Sequence, residues 1–268
     1  MLNPANDYRD RIHATRDSSW TSRTRLLLGD DPVDRMQRAH VLVVGMGGVG
    51  SYAAEFIARA GVGRMTIVDG DVIEPSNRNR QLPATVETEG QYKVEVMRDR
   101  LRAINPDIRL VAVREFITPS RIDRLLAARY DFIVDAIDSL TPKIWLLAGA
   151  HAKGMRIVSA MGAGGKLDPT KIRVADISAT EKCNLARYVR KRLRRKGVND
   201  GISAVYSIEP VVEESLMFTD GLNFKKSAFG TVSYLPAAFG GACASVVIRG
   251  LSADVEVKDV VPDGTNGQ

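Results

Sequence analysis

The run Gly45-Met46-Gly47-Gly48-Val49-Gly50 restricts what this chain can fold into more than any other feature it has. It lies between the apolar stretch Val41-Leu42-Val43-Val44 and a helical pattern that begins near Ser51. Strand, tight glycine turn and helix start together make an anion site. The first N–H groups of a helix lack intrahelical partners, and the helix dipole favours negative charge beside them. Glycine suits such a turn because a β-carbon would meet the approaching phosphate or oppose the required backbone angles. Gly45, Gly47, Gly48 and Gly50 are therefore expected to carry a nucleotide phosphate.

Around the turn, short apolar runs alternate with helical patterns. Residues 65–68, 108–113, 132–134 and 156–160 read as strands. Residues 32–39, 92–104, 120–127 and 141–153 read as helices. That order predicts right-handed βαβ crossovers and an α/β fold, a doubly wound, Rossmann-like, mainly parallel sheet. After a second glycine cluster, Gly162-Ala163-Gly164-Gly165, the texture changes. Residues 161–230 are expected to form an inserted crossover segment that covers the substrate. Strands are expected there near 172–174, 205–208 and 216–224, with a basic helix over 183–196. A mobile arm is expected over 1–20, the folded domain over 21–252 and a polar tail over 253–268.

Composition closes off several classes. Apolar residues at 44% and charged residues at 26% are those of a globular chain, which excludes disorder over most of its length. The only cysteines, Cys183 and Cys243, form no Cys-x-x-Cys pair, so a zinc ribbon is excluded and no zinc is expected. His13, His40 and His151 have no ligand spacing. Residues 231–251 are weakly charged, but Pro236, Gly240, Gly241 and Arg249 interrupt them, so a buried helix rather than a membrane span is expected. The first twenty residues lack the apolar centre of a signal peptide, and a cytoplasmic location is expected.

On the glycines alone, with Asp69 about twenty residues on to hold a ribose, an NAD(P) dehydrogenase is the default reading. The residues after Asp69 favour ATP. The segment holds Asp71, Asn77 and Arg80, and Lys93 opens the next helix. A dehydrogenase needs few cations beside its pyrophosphate, whereas Arg80 and Lys93 together suit a triphosphate on the turn. Arginine offers a bidentate fork and lysine a point charge. Asp138, just past the strand at 132–134, is placed to hold Mg²⁺ in the crevice where doubly wound sheets bind ligands.

Taken together, Gly-x-Gly-Gly-x-Gly, Asp-x-Asp, Ser-Asn-x-x-Arg-Gln, Lys93 and Asp138 resemble the ThiF-type, ubiquitin-activating-enzyme-like adenylating superfamily over residues 20–250. The resemblance implies that Asp69 binds the ribose, that Asn77, Arg80 and Lys93 handle the phosphates, and that Asp138 sits near the metal. It implies a homodimer in which an arginine of the second subunit, Arg23 or Arg25, completes the site. Within the superfamily the closer resemblance is to the branch whose substrate is N6-threonylcarbamoyladenosine in tRNA. Val134-Asp135-Ala136-Ile137-Asp138-Ser139, the second glycine cluster with Asp168-Pro169-Thr170, and Val205-Tyr206-Ser207-x-Glu209 carry it. The activity this implies is ATP-dependent dehydration of that nucleoside to a cyclic form through an acyl-adenylate, with ATP and Mg²⁺ and without NAD.

The basic helix fits such a substrate. Arg187, Arg190, Lys191, Arg194 and Arg195 recur at helical spacing and suit a tRNA phosphate backbone gripped without base reading. A solvated charged helix is the plainer reading. Cys183 precedes this helix where some relatives keep a thiol, but direct ring closure needs none and it is left out of the site. Ser207 and Glu209 suit either the substrate side of the pocket or a strand end. The alternatives are adenylation of the C-terminus of a ubiquitin-like sulfur carrier, an NAD(P) oxidoreductase, and a non-catalytic nucleotide sensor. A monovalent cation and a sulfur-transfer partner of the cysteine desulfurase type stay open on sequence grounds.

Overall fold

The structure, a computed structural model, describes residues 19–218 and 227–253. Most of the expected arm at 1–20, most of the tail at 253–268 and the stretch 219–224 of one expected strand lie outside the described residues.

Two short helices, α1 (Ser22–Leu28) and α2 (Asp30–Arg38), lead into β1 (His40–Val44). The chain continues through α3 (Gly50–Arg59), β2 (Arg64–Val68), α4 (Lys93–Ile104), β3 (Arg109–Val113), α5 (Pro119–Leu125) and β4 (Phe132–Asp135). Then follow α6 (Leu140–Ala152), β5 (Ile157–Ala160), β6 (Ile172–Asp176), α7 (Asn184–Arg194) and β7 (Ser203–Ser207). A hairpin of β8 (Leu216–Phe218) and β9 (Ser227–Phe229) precedes α8 (Tyr234–Ser252).

Seven strands form one sheet in the order β3-β2-β1-β4-β5-β7-β6, parallel except for the β6–β7 pair. The doubly wound, mainly parallel sheet expected from the alternation is present. The order in which strands are added reverses between the parallel neighbours β1 and β4, so a crevice opens beyond the carboxyl ends of those two strands. Apolar layers cover both faces, as the continuous Val/Ile/Leu runs of buried parallel strands require. One holds Val41, Val43, Ile57, Met65, Ile67, Phe239 and Val247; the other holds Leu42, Val44, Ile133, Leu146, Leu147 and Val189.

Helix α8 is long and apolar enough by length and composition to span a bilayer. Here Leu235, Phe239, Cys243, Ala244, Val247 and Leu251 are buried in the first layer, and Gly240 lies against α3. A β-carbon at Gly240 would stand 2.6 Å from the Val49 carbonyl oxygen, so the two helices meet backbone to backbone. The buried helix expected over 235–251 is observed. The sequence reading did not foresee α1, which buries none of its residues and carries no apolar periodicity to signal it.

Candidate active site

The glycine turn leaves β1 at the reversal point. Gly45 has φ +95°, and a β-carbon there would stand 2.7 Å from the Ala136 carbonyl oxygen of the turn that follows β4. Gly50 opens α3, where a β-carbon would overlap the Gly45 carbonyl oxygen. These two glycines are required by the fold itself. Gly48 is crowded by Pro236 at 3.0 Å and the Arg80 carbonyl at 3.2 Å. Gly47 is different: its φ is ordinary and a β-carbon would touch only Gln81, at 3.9 Å.

Asp69 follows β2 and accepts hydrogen bonds from the Met46 N–H at 2.6 Å and the Asp71 N–H at 2.8 Å, which ties its carboxylate to the glycine turn. Burial pushes its carboxyl pKa up, while Lys93 and the two amides pull it down. Lys93 at the start of α4 is buried, and one of its three donors goes to the Asp71 carboxylate at 2.9 Å. An antiparallel bridge between Val72 and Tyr92 closes this loop, which holds Lys93 beside Asp71.

Arg80 follows a single 3-10 turn, Pro75–Asn77. Its Nη1 donates to the Ser76 carbonyl at 2.9 Å and to Asn79 Oδ1 at 2.8 Å. Burial lowers its pKa and the charge of the nearby Asp138 raises it. Asn77, expected at the phosphates, is buried and caps the 3-10 turn: its Oδ1 accepts from the Glu74 N–H at 3.2 Å and its own N–H bonds the Glu74 side chain. That side chain shapes the loop carrying Arg80. Asp138 is exposed at the crevice, three residues beyond β4, with Ser139 Oγ donating to it at 3.3 Å. One exposed carboxylate beside a phosphate position is a donor set that suits Mg²⁺, which keeps most of its waters. No cluster of three or more His, Cys, Asp or Glu suited to a metal occurs among the described residues.

Two features escaped the sequence reading. Gln81 is 8% exposed, lies against Gly47, and its Oε1 has no partner among the described residues. A buried acceptor without a donor is costly, so Gln81 is poised for a group that enters the turn. The Ser-Asn-x-x-Arg-Gln motif contained it but gave it no role. Beneath Asp138, Lys143, Asp135 and Ser159 form a fully buried polar cluster. Neither spacing nor composition marks residues on three separate elements as partners.

The crossover region is held together by its polar side chains. Lys166 is buried and donates to the Ser207 and Glu209 carbonyls at 3.0 and 3.1 Å. The Glu209 carboxylate accepts from the amides of Leu167 and Asp168, and Ser207 Oγ accepts from the Glu209 N–H. Ser207 ends β7, and Glu209 fastens the loop beyond it to residues 167–168. Both cysteines are free and buried. Burial pushes the Cys243 thiol up to about 12, as expected of core packing.

Helix α7 begins beside Gly162 and runs down the flank of the sheet with Ala186, Val189 and Leu193 turned inward. Arg187, Lys191, Arg194 and Arg195 are exposed and make no ion pair with a described residue. Arg190 does not share that face. Its Nη1 donates to the Thr180 carbonyl at 2.7 Å and also to Thr180 Oγ1, which fastens α7 to the preceding turn. Of the intersubunit candidates, Arg25 is paired with Asp30 at 3.0 Å and Asp34 at 2.9 Å of its own chain, and Arg23 is exposed.

Strand order and glycine turn, with Asp69 bonded to that turn and Arg80 packed against it, define a Rossmann-type nucleotide-binding protein. A profile described as the ThiF family matches residues 21–262, and the chain belongs to that family. It is 35% identical over 246 residues to the tRNA threonylcarbamoyladenosine dehydratase of Bacillus subtilis (strain 168), covering 89% of this chain and 97% of that protein. A crystal structure of the E. coli tRNA N6-threonylcarbamoyladenosine dehydratase, TcdA, in complex with ATP superposes with a TM-score of 0.76 at 36% identity, over 85% of this chain and 91% of that one. The E. coli (strain K12) molybdopterin-synthase adenylyltransferase is 36% identical over 129 residues, 48% of this chain and 51% of that protein.

Proposed function

We propose that this protein dehydrates N6-threonylcarbamoyladenosine in tRNA to its cyclic form, at the expense of ATP. A carboxylate is a poor electrophile because oxide is a poor leaving group. Attack of the threonyl carboxylate oxygen on the α-phosphorus of ATP breaks the bond to pyrophosphate and leaves an acyl-adenylate. A nucleophilic atom of the same side chain then attacks the activated carbonyl, loses its proton and expels AMP. The net change is loss of one water. Ring closure is intramolecular, so proximity supplies much of its rate and no protein nucleophile is required.

The chain's own task is to bind the triphosphate and offset charge that develops around the α-phosphorus. The N–H groups of the glycine turn, Arg80 and Lys93 do this, Asp69 holds the ribose, and Gln81 meets the group seated at Gly47. Asp138 would hold Mg²⁺, whose charge would offset that of the phosphate groups. Asp71 restrains Lys93, and Asn77 fixes the loop that aims Arg80. The exposed face of α7 carries Arg187, Lys191, Arg194 and Arg195 to the tRNA backbone, with Arg190 as the strut behind them. In a homodimer, Arg23 rather than the paired Arg25 is free to reach the second subunit's crevice. Residues 161–230 cover the substrate side.

The observation that carries this reading is Arg80 packed against Gly48 of the turn with Asp138 near it, and Lys93 held at Asp71 beside the Asp69 that bonds the turn. Adenylation of a sulfur carrier uses the same first step. The relative named for molybdopterin synthase shares about half of this chain, against 89% for the Bacillus dehydratase. Incubating the pure protein with ATP and tRNA bearing threonylcarbamoyladenosine, followed by nucleoside mass spectrometry, tests it. Loss of the mass of one water from the nucleoside, only with ATP, is the expected result; an unchanged nucleoside refutes it.

A further inference from the structure

Lys143 is 0% exposed and stands in the first turn of α6, where the helix dipole disfavours a cation. A buried pair of this kind is seldom needed for stability, because apolar residues of similar volume fill such sites as well or better. Its three donors are all used. They go to Asp135 Oδ2 at 2.5 Å, Ser159 Oγ at 3.2 Å and the Ala160 carbonyl at 3.0 Å. Ser159 Oγ donates to the same Asp135 oxygen at 2.6 Å. The second oxygen of Asp135 leaves the cluster and accepts the Ile137 N–H at 3.1 Å.

These bonds end at the turn after β4 and at the carboxyl end of β5, the β4 side of the crevice. Ile137 directly precedes Asp138, and the Ala136 carbonyl touches Gly45. Ala160 ends β5, two residues before the second glycine cluster. The geometry points to Asp135, Lys143 and Ser159 as a positioning unit: a buried charged clamp that sets the turn bearing Asp138 relative to Arg80 and thereby the rate of adenylate formation. None of the three is exposed enough to touch ATP, so they act through the Ile137 amide and the Ala160 carbonyl. The inference rests on the adenylating function proposed above.

Two double variants separate the clamp from mere packing. D135L/K143M removes the charges and the acceptor for Ile137; D135N/K143M removes the charges but keeps an acceptor oxygen. ATP affinity measured by calorimetry with EDTA present is expected to stay within about threefold of wild type in both, since the turn and Asp69 are untouched. Turnover of the modified tRNA is expected to fall about 100-fold in D135L/K143M, the scale of a misplaced catalytic group, and to recover at least tenfold in D135N/K143M. Hydrogen exchange at the Ile137 amide, read by mass spectrometry, is expected to quicken only in D135L/K143M. Equal turnover in the two variants overturns the clamp. A wild-type protein that binds ATP but converts no tRNA defeats the functional reading instead; the Ile137 exchange then decides, and equal rates in both variants overturn the clamp.

Discussion

Gly47→Ala separates what the fold requires of the turn from what a ligand requires. A methyl group there meets only the end of Gln81, at an ordinary van der Waals distance, and the backbone angle is open to any residue. Replacing glycine at a compatible site stabilises by about 0.4–1 kcal/mol, because the unfolded chain loses freedom. At this size 1 kcal/mol shifts the melting temperature by about 2–4 °C, so the variant should melt about 1–4 °C higher. A phosphate seated on the turn would have to back away from the added carbon. Losing one hydrogen bond to a charged oxygen costs about 1.5–3 kcal/mol, which weakens ATP binding by roughly 10- to 150-fold. Scanning calorimetry and isothermal titration measure the two effects on one preparation. Gly50→Ala, whose β-carbon overlaps a backbone oxygen, should fail to fold and serves as the contrast. Wild-type ATP affinity in Gly47→Ala would show that the phosphates lie elsewhere.

The other expectations are more local. Glu55 on α3 is paired with Arg100 at 2.5 Å and Arg59 at 2.8 Å. Burial pushes its carboxyl pKa up, but the two arginines together outweigh that and leave it below the ordinary value. Its stabilisation is therefore complete above the unfolded value of about 4.3 and is lost as pH falls through the lower folded one. The melting-temperature gap between wild type and Glu55→Gln should be widest near neutrality and close below about pH 4. Replacing Arg187, Lys191, Arg194 and Arg195 together by alanine should cut the salt dependence of tRNA binding, the slope falling by about 3 if each meets one phosphate, with ATP binding unchanged by calorimetry. Arg190→Ala should instead lower the melting temperature by several degrees, about 1–3 kcal/mol for a charge-assisted bond to Thr180. Cys183→Ser should leave tRNA turnover as it is, measured by the same nucleoside assay.

The parts of this fold that could be read from sequence are those in which neighbours along the chain decide the outcome. The buried strands announce themselves as apolar runs, and the glycines at 45 and 50 fall where the backbone allows nothing larger. The reading failed where a residue's meaning depends on a partner far along the chain. Arg190 looks like one more cation of a basic helix until Thr180 is seen beneath it. Arg25 looks as available as Arg23 until α2 folds back and brings Asp30 and Asp34 to it. Asn77 carries a polar amide in a motif, yet its first duty is to close a turn. The Lys143 cluster joins residues of β4, α6 and β5, a meeting that only the sheet order arranges.

Helix α8 roofs the very turn that opens the domain: Pro236 presses on Gly48, and Gly240 seats the start of α3. The pocket's floor is thus laid early in synthesis and its ceiling late. A ribosome-bound fragment ending before residue 234 can pair its first strands, yet it has only Arg80, and not Pro236, against the Gly48 end of the turn. Competence to take up nucleotide should arrive in one step, once α8 has been added to the chain.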